Sequence, residues 1–182
     1  MTLYRLLLSD LRRQFFYEGN PNRPATMGSL IKRIFNPRFM PVVLCRLSQT
    51  CYRTRLKPLS KILSLSNFVL FGIEIALRCE IDEGLYLPHT QGTVIGAQRI
   101  GKNAVIYHNV TFGAKEIDIG YHEDQRPIIG DNVIIGSGAK VLGGITVGNN
   151  VIIGANAVVI ESIPSNVMVG GVPAKIIRDN LS

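Results

Sequence analysis

Between Ile129 and Pro164, apolar residues return at every sixth position without a slip: Ile129, Ile135, Val141, Val147, Ile153 and Val159. The second position of these units runs Gly130, Gly136, Leu142, then Gly148, Gly154, Ile160, and the fifth runs Val133, Ala139, Ile145, then Val151, Ala157, Ile163. The repeat is therefore eighteen residues built from three sixes. Neither helical periodicity nor strict alternation sustains it, whereas a three-sided coil does, each side a short strand stacked about 4.8 Å from the next. β-branched first positions fill a prism only a few side chains wide. Ser137-Gly138, Gly143-Gly144, Asn149-Asn150 and Ala155-Asn156 turn its corners, where positive φ costs these residue types least.

The same units reach back to Ile75, Ile81 and Leu87. There the register breaks, with eight residues from Leu87 to Ile95 and five from Ile95 to Ile100, so the wall bulges around Pro88-His89-Thr90-Gln91-Gly92. Sixes resume at Ile100, Ile106 and Phe112, and residues 114–127 then fit no unit and read as a loop thrown out from a corner. Ahead of the coil, Leu3, Leu7, Leu11 and Phe15 place a helix over residues 3–17, ended by Gly19-Asn20-Pro21. Asn36-Pro37 reads as a cap and first-turn proline of a helix to about Arg55, and a third helical segment runs from Leu59 to about Leu70. The expected fold is mainly β: a coil over residues 72–182, preceded by a short helical region over residues 1–71. These helices are expected to pack on the end of the coil or against another subunit, because an uncovered strand stack invites pairing.

Charge separates the two regions. Residues 1–71 carry twelve Lys or Arg against Asp10 and Glu18, a net of +10, while the remainder nets −3, giving +7 over 182 residues. The basic head reads as a solvated helical surface or as a face for an anionic lipid or phosphate-bearing ligand, with Lys32, Arg33, Arg38, Arg46, Arg53, Arg55, Lys57 and Lys61 as the residues that would hold it to a membrane. Charges interrupt the N-terminal apolar residues, so no signal peptide is visible, and the apolar run Ile62 to Leu77 is too short and polar to span a bilayer. Cys45, Cys51 and Cys79 are odd in number and lack metal spacing, which suits reduced thiols in a cytoplasmic protein. Nucleic acid is not among the expected partners.

Three histidines can carry proton chemistry: His89 in the bulge, His108 in a regular unit and His122 in the loop. Glu74 precedes His89 by fifteen residues, close to one coil, so the two could lie on neighbouring levels as a base and its orienting carboxylate. Phe71-Gly-Ile-Glu-Ile, Leu87-Pro-His-Thr-Gln-Gly-Thr-Val-Ile-Gly, Val110-Thr-Phe-Gly and Gly170-Gly-Val-Pro-Ala-Lys, in that order, resemble the serine O-acetyltransferase family over roughly residues 36–178. The resemblance implies a left-handed parallel β-helix, a homotrimer, acetyl-CoA as co-substrate with no metal, and active sites between neighbouring subunits. It places His89 at the general base and Glu74 at the carboxylate supporting it. Similarity to related acetyltransferases puts Ser137 and Ala155 along the pantetheine arm and Lys175 and Arg178 near the CoA phosphates. In galactoside and maltose acetyltransferases the catalytic histidine sits in a loop thrown out from the coil, which leaves His122 as a rival base. His108 is a wall residue or an aid to acceptor binding.

Two departures bear on the acceptor. The family's Arg-His-Pro loop ending is replaced by Gln125-Arg126-Pro127, where Arg126 could still pair with a carboxylate or phosphate, and the acidic residues supplied by a longer helical head are missing. The leading expectation from these departures is an acetyl-CoA-dependent O-acetyltransferase acting on a sugar or glycan precursor in surface polysaccharide synthesis. Serine O-acetyltransferase in cysteine synthesis is the alternative enzyme, and a non-catalytic scaffold is the alternative of another class.

Overall fold

A computed structural model describes residues 2–118 and 120–179. The sixes fold into a three-sided, left-handed parallel β-helix. One side stacks β1 (Ile73–Ile75), β3 (Thr93–Ile95), β6 (Thr111–Gly113), β9 (Lys140–Leu142) and β12 (Val158–Val159). The second stacks β2 (Glu80–Ile81), β4 (Arg99–Ile100), β7 (Ile128–Ile129) and β10 (Thr146–Val147). The third stacks β5 (Val105–Ile106), β8 (Ile134–Ile135), β11 (Ile152–Ile153) and β13 (Val167–Gly170), with β14 (Lys175–Asp179) closing it antiparallel. In the regular half, partners such as Ile128 and Thr146 or Ile134 and Ile152 are eighteen residues apart. Irregular coils keep the pairing by pushing the excess into corners: Ile73 pairs with Thr93, and Thr111 with Lys140 across the loop.

The eighteen-residue echo follows from contacts between rungs. At the edge joining the third side to the first, a Cβ on Gly136 would lie 2.6 Å from the Ala155 nitrogen, and at the edge joining the second side to the third one on Gly130 would lie 2.7 Å from the Gly148 carbonyl. At the edge joining the first side to the second, half-buried Leu142 stands in the same position. Two corners thus demand glycine and the third accepts a side chain. The edge between second and third sides also carries an asparagine ladder. Asn103, Asn132, Asn150 and Asn166 all have φ between +54° and +64°, and each side-chain amide donates to the next at 2.8–3.0 Å.

Four helices form the head: α1 (Leu3–Tyr17), α2 (Met27–Arg33), α3 (Met40–Arg53) and α4 (Lys57–Phe71). The expected α1 and α4 are present. The Asn36-Pro37 cap is not: Asn36 closes a separate turn, its Oδ1 accepting from the Arg38 N–H and its carbonyl from Phe39 and Met40, and α3 starts at Met40 with Pro41 in its first turn. α2, which carried no long apolar period, is fixed by a capping box in which Thr26 and Ser29 bond each other's backbone N–H.

The head sits on the N-terminal end of the coil. Val42 and Cys45 of α3 join the coil's own core, while Leu7, Leu11, Phe15, Leu30, Phe39 and Val43 form a second cluster within the head. Between them lies an ion pair that is almost fully buried: Arg46 donates to Asp10 from Nε (2.9 Å) and Nη2 (3.0 Å), and to the Ile81 and Asp82 carbonyls at 2.6 Å. Asp10 also accepts from the Gly84 and Leu85 N–H groups at 2.9 and 2.8 Å. Arg46 is therefore not one of the cations available to a membrane: it ties α1 and α3 to the first open rung, whose backbone would otherwise lack partners.

Candidate active site

The edge between the third and first sides gathers four of the residues singled out by sequence. Its successive corners are residues 88–92, 107–110, 136–138 and 154–156, and backbone bonds lock them in file: Asn109 N–H to Gln91, Gly138 N–H to His108 and Asn156 N–H to Ser137. His89, His108, Ser137 and Ala155 thus stand in one column, a rung apart. The bulge that carries His89 is held from below, with the Gly92 N–H donating to Gly72 and the Thr90 hydroxyl to Phe71. The His89 and His108 rings meet edge to face with centroids 5.7 Å apart, and both residues are exposed. Above Ala155 the column ends at the turn after β13, where Val158 donates to Gly171 and accepts from the Ala174 N–H. Lys175 follows that turn and lines a cleft of about 390 Å³ with Val159 to Pro164. Arg178, opposite Met168, is exposed on β14.

Glu74 does not join this column. It sits in β1 in register with Val94 and is exposed, and it borders a cleft lined by Lys61, Ser64, Leu65, Phe68 and Leu77. Among the described residues no hydrogen bond or ion pair links it to His89. The His89 ring meets His108 edge to face instead.

The protruding loop leaves from another edge, between the first and second sides, and is firmly anchored there. Asp118, 1% exposed at its side chain, is the hub. It meets His122 Nδ1 at 2.7 Å, accepts from the His122 N–H at 2.9 Å, and takes Arg126 Nε and Nη2 at 3.1 and 2.7 Å. Burial by itself would raise the Asp118 carboxyl, but the hydrogen bonds from His122 and Arg126 outweigh it and hold the group below its ordinary value of 3.8. Arg126 also donates through Nη1 to the Gly96 carbonyl at 3.0 Å, and its guanidinium lies 3.9 Å from the centre of the Tyr121 ring. Tyr121 in turn donates to Ala97 at 2.8 Å. Arg126 is 11% exposed at its side chain and its donors are committed internally, so it serves as a brace for the loop and is not free to pair with an acceptor carboxylate. His122 is the loop's outward group, 65% exposed, its Nδ1 turned to the carboxylate. Asp118 and Tyr121 escaped sequence reasoning; the only signal was the spacing of four residues between Asp118, His122 and Arg126.

Comparison with known proteins sharpens this picture. Residues 126–161 match the bacterial transferase hexapeptide family (six repeats). The chain is 34% identical over 176 residues to a serine acetyltransferase of Synechococcus elongatus, covering 96% of this chain and 69% of that protein. It is 40% identical over 130 residues to one of Staphylococcus xylosus, covering 71% of this chain but only 59% of the relative. The crystal structure of serine acetyltransferase from Neisseria gonorrhoeae superposes with a TM-score of 0.82 at 31% identity, covering 99% of this chain and 68% of that one. A serine acetyltransferase in complex with CoA superposes at 0.80 and 25% identity, covering 96% and 69%. These matches overturn the expectation of a sugar or glycan acceptor. The altered loop ending that suggested it has a structural cause: Arg126 is spent on Asp118 and Gly96.

Proposed function

The chain belongs to the serine acetyltransferase family, whose members draw their acetyl group from acetyl-CoA, and on that premise we propose that it acetylates the hydroxyl of L-serine, giving O-acetylserine and CoA. The observation that carries this reading is the column on one edge of the coil: two histidines edge to face, then small residues, then a cation beyond the last corner. Four rung steps at about 4.8 Å span roughly 19 Å, which suits an extended pantetheine arm. Its thioester would lie at His89 and His108, its middle along Ser137 and Ala155, and its phosphates near Lys175 and Arg178, where mobile cations follow a polyanion well.

His89 is the base in this scheme. Its imidazole takes the hydroxyl proton as the serine oxygen attacks the thioester carbonyl; the tetrahedral intermediate collapses with cleavage of the C–S bond, and the imidazolium returns the proton to the leaving thiolate. His108, edge-on to it, bounds the acceptor side. Glu74, which makes no hydrogen bond to His89 within one chain among the described residues, is given no orienting role. We take the assembly to be a homotrimer, as the family implies, and the cytoplasm, where acetyl-CoA is made, to be its compartment.

Thiol release from acetyl-CoA on addition of L-serine tests the reading. His89→Ala is expected to lower the rate about 10²–10⁴-fold while CoA binding survives; no turnover of L-serine by the intact chain sinks the proposal. One contact favours a second location for the base: among the described residues His122 is the histidine that meets a carboxylate. If His122→Ala abolishes transfer while His89→Ala does not, the base belongs to the loop.

A further inference from the structure

α4 is built inside out. Its buried positions are Ser60 and Asn67, with Asn67 donating to the Pro41 carbonyl at 3.0 Å, while Leu59, Ile62, Leu65, Phe68, Val69 and Leu70 are exposed, Val69 to 69%. A helix normally turns its apolar stripe to the core, and a contiguous apolar face of this kind marks a docking surface. What docks is indicated by charge. No Asp or Glu occurs between residues 19 and 73, a stretch that carries nine Lys or Arg, of which Arg46 is buried on Asp10 and Arg33 is paired with Glu18. Lys57 and Lys61 lie on α4 itself and Arg53 and Arg55 just before it, all four exposed or nearly so. Glu74, bordering the cleft beside Lys61, is the acid at this face. Two such cationic heads repel each other, whereas an anionic surface attracts both the charges and, once reached, the apolar side chains.

We infer that α4 docks on the surface of an anionic lipid bilayer, lying in the interface plane with Ile62, Leu65, Phe68 and Val69 among the first acyl-chain carbons below the headgroups and Lys57 and Lys61 at the phosphates. The helix does not cross the bilayer: no helix among the described residues is long and apolar enough to do so. The inference is independent of the acceptor proposed above, since it uses no residue of the histidine column or the loop.

Flotation of the full chain with vesicles decides it, using phosphatidylcholine with about one third phosphatidylglycerol against pure phosphatidylcholine. The wild type is expected to float with the anionic vesicles and to come off as salt is raised. Replacing Ile62, Leu65 and Val69 together by Ser is expected to weaken binding at least tenfold. Lys57→Gln with Lys61→Gln is expected to weaken it roughly 30-fold at low salt, from about fivefold per cation. Since all five positions are exposed, unchanged circular dichroism and melting serve as the check that the head still folds. Failure of the wild type to float, or equal flotation of the triple-serine chain, overturns the inference. So does a fall in the mass of the assembly when the three apolar residues are replaced, because that result makes the face a contact between copies.

Discussion

Arg126 shows how a residue can keep its chemistry and change its use. A cation at the end of a loop looks like a hand held out to a carboxylate, yet here the carboxylate is its own neighbour Asp118. We expect Asp118→Asn and Arg126→Gln to loosen residues 114–127, seen as faster amide exchange after correction for intrinsic rates, with little change in the coil. The pH dependence follows from the direction of the Asp118 shift. A carboxyl held below its ordinary 3.8 in the folded chain contributes anchoring that is complete above that value and is lost as pH falls through the lower, folded one, so the loop opens on acidification while remaining closed from neutral pH downward to about pH 4. The cysteines are equally readable. Burial pushes the Cys45 thiol up to about 11 and drives Cys79 up as well, so both stay protonated near neutrality. A thiol reagent is therefore expected to label half-buried Cys51 in the native protein and all three only after unfolding. Sequence alone marked His122 and Arg126 but not Asp118, because a single acid in a polar loop has no pattern that betrays burial. It paired Glu74 with His89 by counting residues; that coil is two residues longer than the regular repeat, and among the described residues no hydrogen bond joins the pair within one chain.

At the scale of elements, the regular half of the coil was legible because its constraints are local and recur. Every rung repeats the same clash, so glycine recurs wherever a Cβ would meet the backbone above. Gly136→Ala puts a methyl 2.6 Å from the Ala155 nitrogen and is expected to destabilise by about 1–3 kcal/mol. Leu142→Ala at the tolerant corner loses only half-buried apolar surface and meets no backbone, so it should cost less. Denaturant titration of the two variants compares them, and equal tolerance of alanine at 136 and 142 would refute the clash as the source of the echo. The head was less legible. α2 rests on two hydroxyls reaching back to a turn, not on periodicity, and α3 begins four residues after the asparagine that looked like its cap. α4 was seen as apolar, but the face it turns outward depends on what α3 and β1 leave uncovered, which no local pattern encodes.

The whole molecule depends on how the head closes the coil. An open β-helix end exposes unpaired backbone groups, and here Arg46 and Asp10 satisfy four of them from inside a dry interface: two carbonyls and two N–H groups. Charge counting placed Arg46 among the cations that would hold the head to a membrane, because the sequence does not say which of twelve cations meets one of only two acids in the head. The consequence is testable as a cycle. Asp10→Leu leaves a buried guanidinium without its partner and should cost about 3–5 kcal/mol, whereas Asp10→Leu with Arg46→Met, which removes both charges, should recover part of that loss. The recovery cannot be complete, since the Ile81 and Asp82 carbonyls and the Gly84 and Leu85 N–H groups then lack partners. Because Val42 and Cys45 share the coil's core, head and coil should melt in one transition in the wild type. In Asp10→Leu the head should come away first. A calorimetric trace that stays a single, equally cooperative peak in Asp10→Leu would mean that apolar packing alone joins the two parts and that the buried pair is incidental to it.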